Sequence, residues 1–186
     1  MNSPIKAVFL DKDGTLIHNI PYNTDPEKVT LMDGAVKALK EIALHNYKFV
    51  LVTNQQGIAH GKITEQQLEL LMVRLKLLLL KHNIELLNYY YCPHDLTGSI
   101  PEYAIWCECK KPLPVLLIKA AKELNIDLGK SWMIGDILHD IEAGNRAGCK
   151  TILLDVGNET EWVTDEYRNP DFTVKSWNEV SEIVDA

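Results

Sequence analysis

The sequence has no long apolar run. The four consecutive leucines at Leu77–Leu80 fall far short of the roughly 20 apolar residues that a membrane span requires, and they lie within a mixed helical pattern. The N-terminal segment also lacks the apolar stretch of a secretory signal peptide, because acidic residues follow directly after Ala7–Leu10. These features predict a cytoplasmic protein without a membrane partner.

Basic residues are too few to balance the acidic ones. The chain has 19 Lys and Arg against 26 Asp and Glu, a net charge of −7 and a pI near 5.3. This charge argues against a nucleic-acid partner, which favours a basic face, but it permits a small phosphorylated substrate held by a few local cations. The 186 residues contain no repeat or linker, so we expect a single domain spanning residues 1–186, acting as a monomer.

Short apolar runs alternate with helical patterns along the chain. Strands are predicted at residues 5–10, 47–52, 86–91, 132–134, 151–154 and 172–174. Helices are predicted from a cap at Asp33, from a capping box at Thr64–Gln67, from Pro112, in the ten residues before Gly148 and after Ser176. The alternation predicts an α/β fold, a single Rossmann-like parallel sheet with helices on both faces and no large cap domain.

Polar and acidic residues follow three of the predicted strands. Asp11 and Asp13 follow the first strand, Thr53–Gln55 follow the second, and Asp136 and Asp140 follow the fourth. Residues that follow parallel strands meet at one edge of the sheet, where ligands bind in such folds. Carboxylates that converge there repel one another unless a cation is present, and Mg²⁺ suits oxygen ligands that share a site with a phosphate group. The pattern therefore predicts a Mg²⁺ site for a phosphorylated substrate.

The sequence has only four cysteines, and three of them lie in one segment. Cys92 and His94 form one pair, and Cys107 and Cys109 form the other. A disulfide disagrees with the reducing compartment expected here, and a catalytic thiol lacks an evident base partner. Three cysteines and one histidine are a common tetrahedral zinc set without an open position, so we predict that loop 92–109 binds a structural Zn²⁺. The fourth cysteine is expected to pack in the core.

Four ordered motifs between residues 7 and 148 carry a family resemblance: FLDKDGT, VTNQQGIAHGK, KKP and IGDILHDIEAG. They resemble the motifs of the haloacid dehalogenase superfamily of phosphatases. The resemblance implies that Asp11 is the nucleophile that forms an aspartyl-phosphate and that Asp13 is the general acid and base. It also implies that Thr53 and neighbouring backbone amides bind phosphate oxygens, and that Lys111 balances charge on Asp11 and the phosphoryl group.

The same resemblance implies the ligands of the metal and the contacts of the substrate. Mg²⁺ would be bound by Asp11, by the backbone carbonyl of Asp13 and by Asp136, while Asp140 would support that site or Lys111. The residues implied to contact substrate are Asn54, Gln55, Lys110 and Lys111.

A zinc loop directly before the KKP motif narrows the resemblance to two groups of small phosphatases, which act on heptose 1,7-bisphosphate and on histidinol phosphate. The segment TNQQGIAHGKIT is more similar to the heptose group, which implies removal of the 7-phosphate of D-glycero-D-manno-heptose 1,7-bisphosphate during synthesis of a surface-polysaccharide precursor. The chain departs from that group at Lys110, which replaces an arginine, at Val115-Leu116, which replace a glycine and a methionine, and at Ile137, which replaces a lysine. His139 is expected to face away from the site.

Three alternatives remain at this stage. The chain could hydrolyse histidinol phosphate or another small sugar phosphate. It could be a phosphoacceptor signalling module, since an acceptor aspartate, a threonine and a lysine on a parallel sheet also occur in receiver domains. It could also be a zinc-stabilised binding protein without activity. Asp13 favours an enzyme, because an acid and base beside the nucleophile shortens the life of an acyl phosphate.

Overall fold

The chain forms a parallel β-sheet flanked by helices, in a computed structural model that describes residues 3–163 and 165–184. The strands are β1 Ala7–Leu10, β2 Lys48–Asn54, β3 Leu86–Cys92, β4 Trp132–Gly135, β5 Lys150–Leu154 and β6 Phe172–Val174. The α-helices are α1 Ala35–Leu44, α2 Glu65–Leu80, α3 Val115–Leu124, α4 Leu138–Ala147 and α5 Trp177–Val184. The 3₁₀ helices are Pro26–Lys28 and Leu128–Lys130.

The six strands lie in the order β3-β2-β1-β4-β5-β6, and every neighbouring pair is parallel. Alternate side chains of β1 face opposite layers of helices, because successive residues of a strand point to opposite sides. Val8 and Leu10 pack in the cluster that includes residues of α1, α2 and α5, whereas Ala7 and Phe9 pack with residues of α3 and α4. The predicted fold class is confirmed, and within the described residues no helix is long and apolar enough to cross a membrane.

Two strands extend further than their apolar runs indicated. Strand β2 continues through Thr53 and Asn54, and β3 continues through Cys92, since Thr53 pairs with Tyr91 and Asn54 pairs with Cys92. The ladder of the sheet therefore fixes the backbone of a predicted phosphate-binding residue and that of a predicted zinc ligand. At the other end, β1 begins at Ala7 because Ile5 makes only an isolated bridge, to Ile126.

The helix starts confirm one predicted cap and correct another. The hydroxyl of Thr64 accepts from the backbone N–H of Gln67 at 3.1 Å, and the Gln67 side chain accepts from the Thr64 N–H at 2.9 Å, which completes a capping box. The predicted cap at Asp33 is wrong. Gly34 is the N-cap of α1, with φ at 81°, and no side chain caps this helix, because a left-handed turn leads the chain into Ala35.

Helix α4 packs unusually close to the sheet. A Cβ atom at Gly144 would lie 2.6 Å from the Cβ of Met133 and 2.7 Å from the Cγ2 of Thr151, so only glycine fits at this approach. The contact fixes α4 against β4 and β5. The first turn of α4 is thereby held at the carboxyl edge of the sheet, directly after β4.

Candidate active site and metal sites

The carboxyl ends of β1 and β4 bring three buried aspartates together. Asp11 follows β1, Asp136 follows β4, and Asp140 lies in the first turn of α4. Ligand oxygens of the three carboxylates all lie within 4.8 Å of one another, and the residues are 8%, 4% and 1% exposed. The convergence predicted from the strand exits is present in the fold.

A single buried lysine pairs with two of these carboxylates. The ammonium of Lys111 lies 2.6 Å from Asp11 Oδ1 and 2.6 Å from Asp140 Oδ1, and it donates to the backbone carbonyl of Val52 at 2.8 Å. Burial opposes its ionisation, yet the charges of Asp11 and Asp140 raise the pKa of Lys111 above its usual value. The lysine is therefore a permanent cation, and its three contacts fix its direction.

One lysine does not neutralise three aspartates. Burial, as the main cause, raises the pKa of Asp11 to about 6 against the attraction of Lys111. Burial and the neighbouring charge of Asp11 raise the pKa of Asp136 to about 6, and burial also raises the pKa of Asp140. The pocket thus carries an excess of buried negative charge at neutral pH, which a divalent cation would relieve.

The surroundings of Asp136 fit a small hard cation. Its two oxygens accept from the Thr15 hydroxyl at 2.9 Å and from the Asn158 amide at 2.7 Å, which fixes the carboxylate plane. Gly14 adopts φ +86°, and a Cβ atom there would lie 2.2 Å from Asp136 Oδ2. The absence of a side chain at Gly14 therefore leaves space next to this oxygen. An oxygen-only set held by such outer contacts suits Mg²⁺. Asn158 gave no sequence signal, because it lies in a loop outside every motif.

Asp13 and Thr53 are joined by one glutamine. The amide nitrogen of Gln55 lies 3.0 Å from Asp13 Oδ2 and 3.0 Å from the Thr53 hydroxyl. Lys12 donates to the other oxygen of Asp13 at 2.7 Å. Asp13 remains partly exposed, whereas Thr53 and Gln55 are buried. The buried side chain of Gln55 therefore orients Asp13 and Thr53.

Asn54 holds the backbone that carries Lys111. Its amide nitrogen donates to the Lys111 carbonyl at 3.0 Å, and its amide oxygen accepts from the Lys111 N–H at 3.0 Å. Both polar atoms of the side chain are committed to this pair. These two hydrogen bonds connect the end of β2 to the loop after β3, next to the point where the lysine side chain enters the carboxylate cluster.

The catalytic cavity has a volume of about 500 Å³. Predicted residues that line it are Asp11, Asp13, Thr53, Asn54, Lys110, Lys111, Asp136 and Asp140. Ile137 also lines the cavity, whereas Gln55 is not among its lining residues, and four further lining residues were not predicted: Asn19, Gln56, His139 and Asn158. His139, which was expected to face away from the site, is thus among the residues that line this cavity.

The second cluster consists of Cys92, His94, Cys107 and Cys109. The Sγ atom of Cys109 lies 3.0 Å from that of Cys92 and 3.2 Å from that of Cys107, and the remaining sulfur pair is 3.4 Å apart. His94 Nδ1 lies 3.3 Å from Cys109 Sγ. A zinc ion with bonds of about 2.3 Å spaces its tetrahedral ligands by roughly 3.7 Å, so the four atoms need to move little to bind one. The set is compatible with zinc.

The sequence is similar to those of known phosphatases. A sequence profile of the HAD-hydrolase-like family (HAD, haloacid dehalogenase) matches residues 108–180. A D-glycero-beta-D-manno-heptose-1,7-bisphosphate 7-phosphatase from Salmonella typhi is 37% identical over 172 residues, which cover 88% of this chain and 92% of that protein. The chain belongs to the family of haloacid dehalogenase-like phosphatases. An enzyme of the same name from Pasteurella multocida is 41% identical over 153 residues, with coverages of 82% and 83%.

A solved structure shows the same fold for this HAD-like phosphatase. The D,D-heptose 1,7-bisphosphate phosphatase of B. bronchiseptica, crystallised with magnesium and phosphate, superposes with a TM-score of 0.77 at 23% identity, covering 97% of this chain and 98% of that one. Membership of the family makes the chain a hydrolytic enzyme. The phosphoacceptor module and the inactive zinc protein are therefore set aside.

The raised pKa values predict how stability of the Mg²⁺-free protein depends on pH. From an ordinary value of 3.8, Asp11 and Asp136 rise to about 6. Because the folded protein holds these two protons more tightly than the unfolded chain, their contribution to the free energy of unfolding is complete below pH 3.8. This contribution is lost as pH rises through about 6. Asp136→Asn, which cannot ionise, should flatten the decline in the free energy of unfolding between about pH 4 and pH 7.

Urea unfolding in Mg²⁺-free buffer at the two pH values measures this effect. Asp33→Asn is the control, since Asp33 is exposed. The free energy of unfolding of this variant should decline with pH as much as that of the native chain. An Asp136→Asn protein with an unchanged decline would contradict the buried, uncompensated charge at this site.

Proposed function

We propose that this phosphatase is a Mg²⁺-dependent phosphomonoester hydrolase in which Asp11 is the nucleophile. The observation that carries the proposal is the 2.6 Å pair between Lys111 and Asp11 at the bottom of the catalytic cavity. Lys111 helps to keep the carboxylate ionised and directs one of its oxygens, so the other is available for attack on phosphorus. The bond from phosphorus to the leaving oxygen breaks as the bond to Asp11 forms, giving an aspartyl-phosphate.

Asp13 is proposed as the general acid and then the general base. It lies two residues after the nucleophile, lines the same cavity and has both oxygens oriented by neighbours. In the first step it gives a proton to the departing alcohol oxygen. In the second step it takes a proton from water, whose oxygen bonds to phosphorus as the bond to Asp11 breaks, so that inorganic phosphate leaves and Asp11 is restored.

Charge on the transferring phosphoryl group is proposed to be balanced by Lys111 and by a bound Mg²⁺. The residues that would bind the ion are Asp11, Asp136 and the backbone carbonyl of Asp13, while Asp140 holds Lys111 in place. When bound, the cation supplies electrostatic stabilisation of the phosphoryl oxygens. The hydroxyl of Thr53, oriented by Gln55, is proposed to donate to a phosphate oxygen.

We propose that the Cys92, His94, Cys107 and Cys109 cluster binds a structural Zn²⁺. The cluster joins the end of β3 to the residue directly before Lys110 and Lys111. Four protein ligands leave no coordination position for substrate. The ion would fix the loop and, with it, the entry of Lys111 into the active site.

The substrate is proposed to be D-glycero-D-manno-heptose 1,7-bisphosphate, which would lose its 7-phosphate. The support is the name shared by the two relatives described above, at 37% and 41% identity over most of the chain. The cavity of about 500 Å³ has room for a phosphorylated sugar.

A substrate panel tests this proposal. In Mg²⁺, we expect kcat/KM for the heptose bisphosphate to exceed that for histidinol phosphate by about 100-fold, because a site built for sugar hydroxyls leaves polar groups unpaired with the wrong leaving group. Nuclear magnetic resonance of the product should show the 1-phosphate retained. Asp11→Asn is the inactive control. Equal kcat/KM values for the two substrates would reject the heptose assignment.

The zinc proposal predicts about one equivalent of zinc in the purified protein. Cys107→Ser should lower the zinc content and the unfolding temperature, because the loop loses a ligand. Cys149→Ala is the matched control, since Cys149 lies on the α3 and α4 side of the core, outside the cluster, and should leave zinc unchanged. Metal analysis and thermal unfolding measure both effects. Less than half an equivalent in the native protein, with no effect of chelation on unfolding, would overturn the proposal.

A further inference from the structure

A second cavity, of about 390 Å³, adjoins the catalytic one. The two cavities share Lys110, Lys111 and His139, so these residues form the boundary between them. Beyond this boundary the walls are mainly apolar: Leu96, Ile105, Trp106, Pro112 and Leu113. A group attached to a phosphate at Asp11 can therefore extend into a pocket with a different chemical character.

The apolar side chains of this pocket are open to solvent. Trp106 is 66% exposed, Leu96 is 66% exposed and Ile105 is 45% exposed. An indole and two aliphatic side chains grouped beside the catalytic cavity, and not among the residues of the core clusters, are typical of a binding surface. Trp106 directly precedes the cluster residue Cys107, so the proposed zinc site would hold its backbone in place.

Both lysines at the boundary already have carboxylate partners. Lys110 donates to Asp95 Oδ2 at 2.6 Å, and Asp95 also accepts from the backbone and hydroxyl of Thr97. Lys111 is paired with Asp11 and Asp140, as described above. Apart from these paired lysines, the pocket therefore offers a mainly apolar surface, which suits the face of a ring.

We propose that this pocket binds the ring of the substrate's leaving group, with Trp106 as the surface on which the ring lies. The ligand class is a phosphomonoester whose leaving group presents a flat apolar face, either the C–H face of a sugar or an aromatic ring. The inference rests on the proposed function, because it assumes that the phosphate lies at Asp11. Trp106 is then a specificity-determining residue of the same reaction.

The test compares substrates with and without a ring. Trp106→Ala should raise KM by about fivefold to tenfold for para-nitrophenyl phosphate and for a hexose 6-phosphate, with kcat little changed. Acetyl phosphate, which has no ring, should keep its KM within about twofold. Trp106→Phe should restore most of the loss. A rise for only one of the two ring substrates would identify which kind of ring the pocket binds.

Controls separate this proposal from the function on which it rests. Trp162→Ala removes another exposed indole, 57% exposed and outside the pocket, and should change no KM. Zinc content of Trp106→Ala should equal that of the native chain, which shows that the loop is intact. If Trp106→Ala left KM unchanged for both ring substrates, or raised KM equally for acetyl phosphate, the proposal that the pocket binds a ring would be overturned. A native protein that hydrolyses neither these three substrates nor the heptose bisphosphate would instead contradict the proposed function.

Discussion

The buried ammonium of Lys111 is the interaction on which the rest of the site depends. It joins Asp11, at the end of β1, to Asp140, at the start of α4, and also contacts the carbonyl of Val52 in β2. Removal of one partner from such a buried network leaves an uncompensated charge, which costs about 3–5 kcal/mol. The lysine therefore connects three elements of the fold, and in the proposed function it is also the cation beside the nucleophile. Because one lysine does not neutralise three aspartates, a further cation would relieve the remaining negative charge.

Lys111 lies near the end of the loop that follows β3, and contacts on two sides fix the position of this loop. Asn54 holds the Lys111 backbone on one side, and the Cys92, His94, Cys107 and Cys109 cluster lies on the other. Gly98 packs against the backbone of Ala59, and Ile100 donates to the Ala59 carbonyl at 2.9 Å, so the loop also lies on the segment after β2. A loop fixed in this way can hold a cation within a narrow range of positions and still present apolar side chains to a substrate.

The sequence predicted the sheet, the helix order and the convergence of the acidic residues, because buried strands and capping boxes depend on local patterns. It did not predict the role of Gly34, since a left-handed turn replaced the expected Asp33 cap. It also missed Asn158 and His139 as cavity residues. Asn158 reaches Asp136 from a loop 22 residues away along the chain, and the position of His139 at the cavity depends on how α4 packs on the sheet after β4. Such long-range placement leaves no periodic signal in a single sequence.

The central claim is that Asp11 carries the phosphoryl group during turnover. Acetyl phosphate tests it most directly, because acetate leaves without a proton from an acid, whereas hydrolysis of the acyl phosphate still needs a base. Asp13→Asn incubated with acetyl phosphate and Mg²⁺ should therefore accumulate close to one phosphoryl group per chain, mapped by mass spectrometry to Asp11. The same protein that also carries Asp11→Asn should accumulate none. A phosphoryl group on any other residue, or none in Asp13→Asn while native protein consumes acetyl phosphate, would contradict the account.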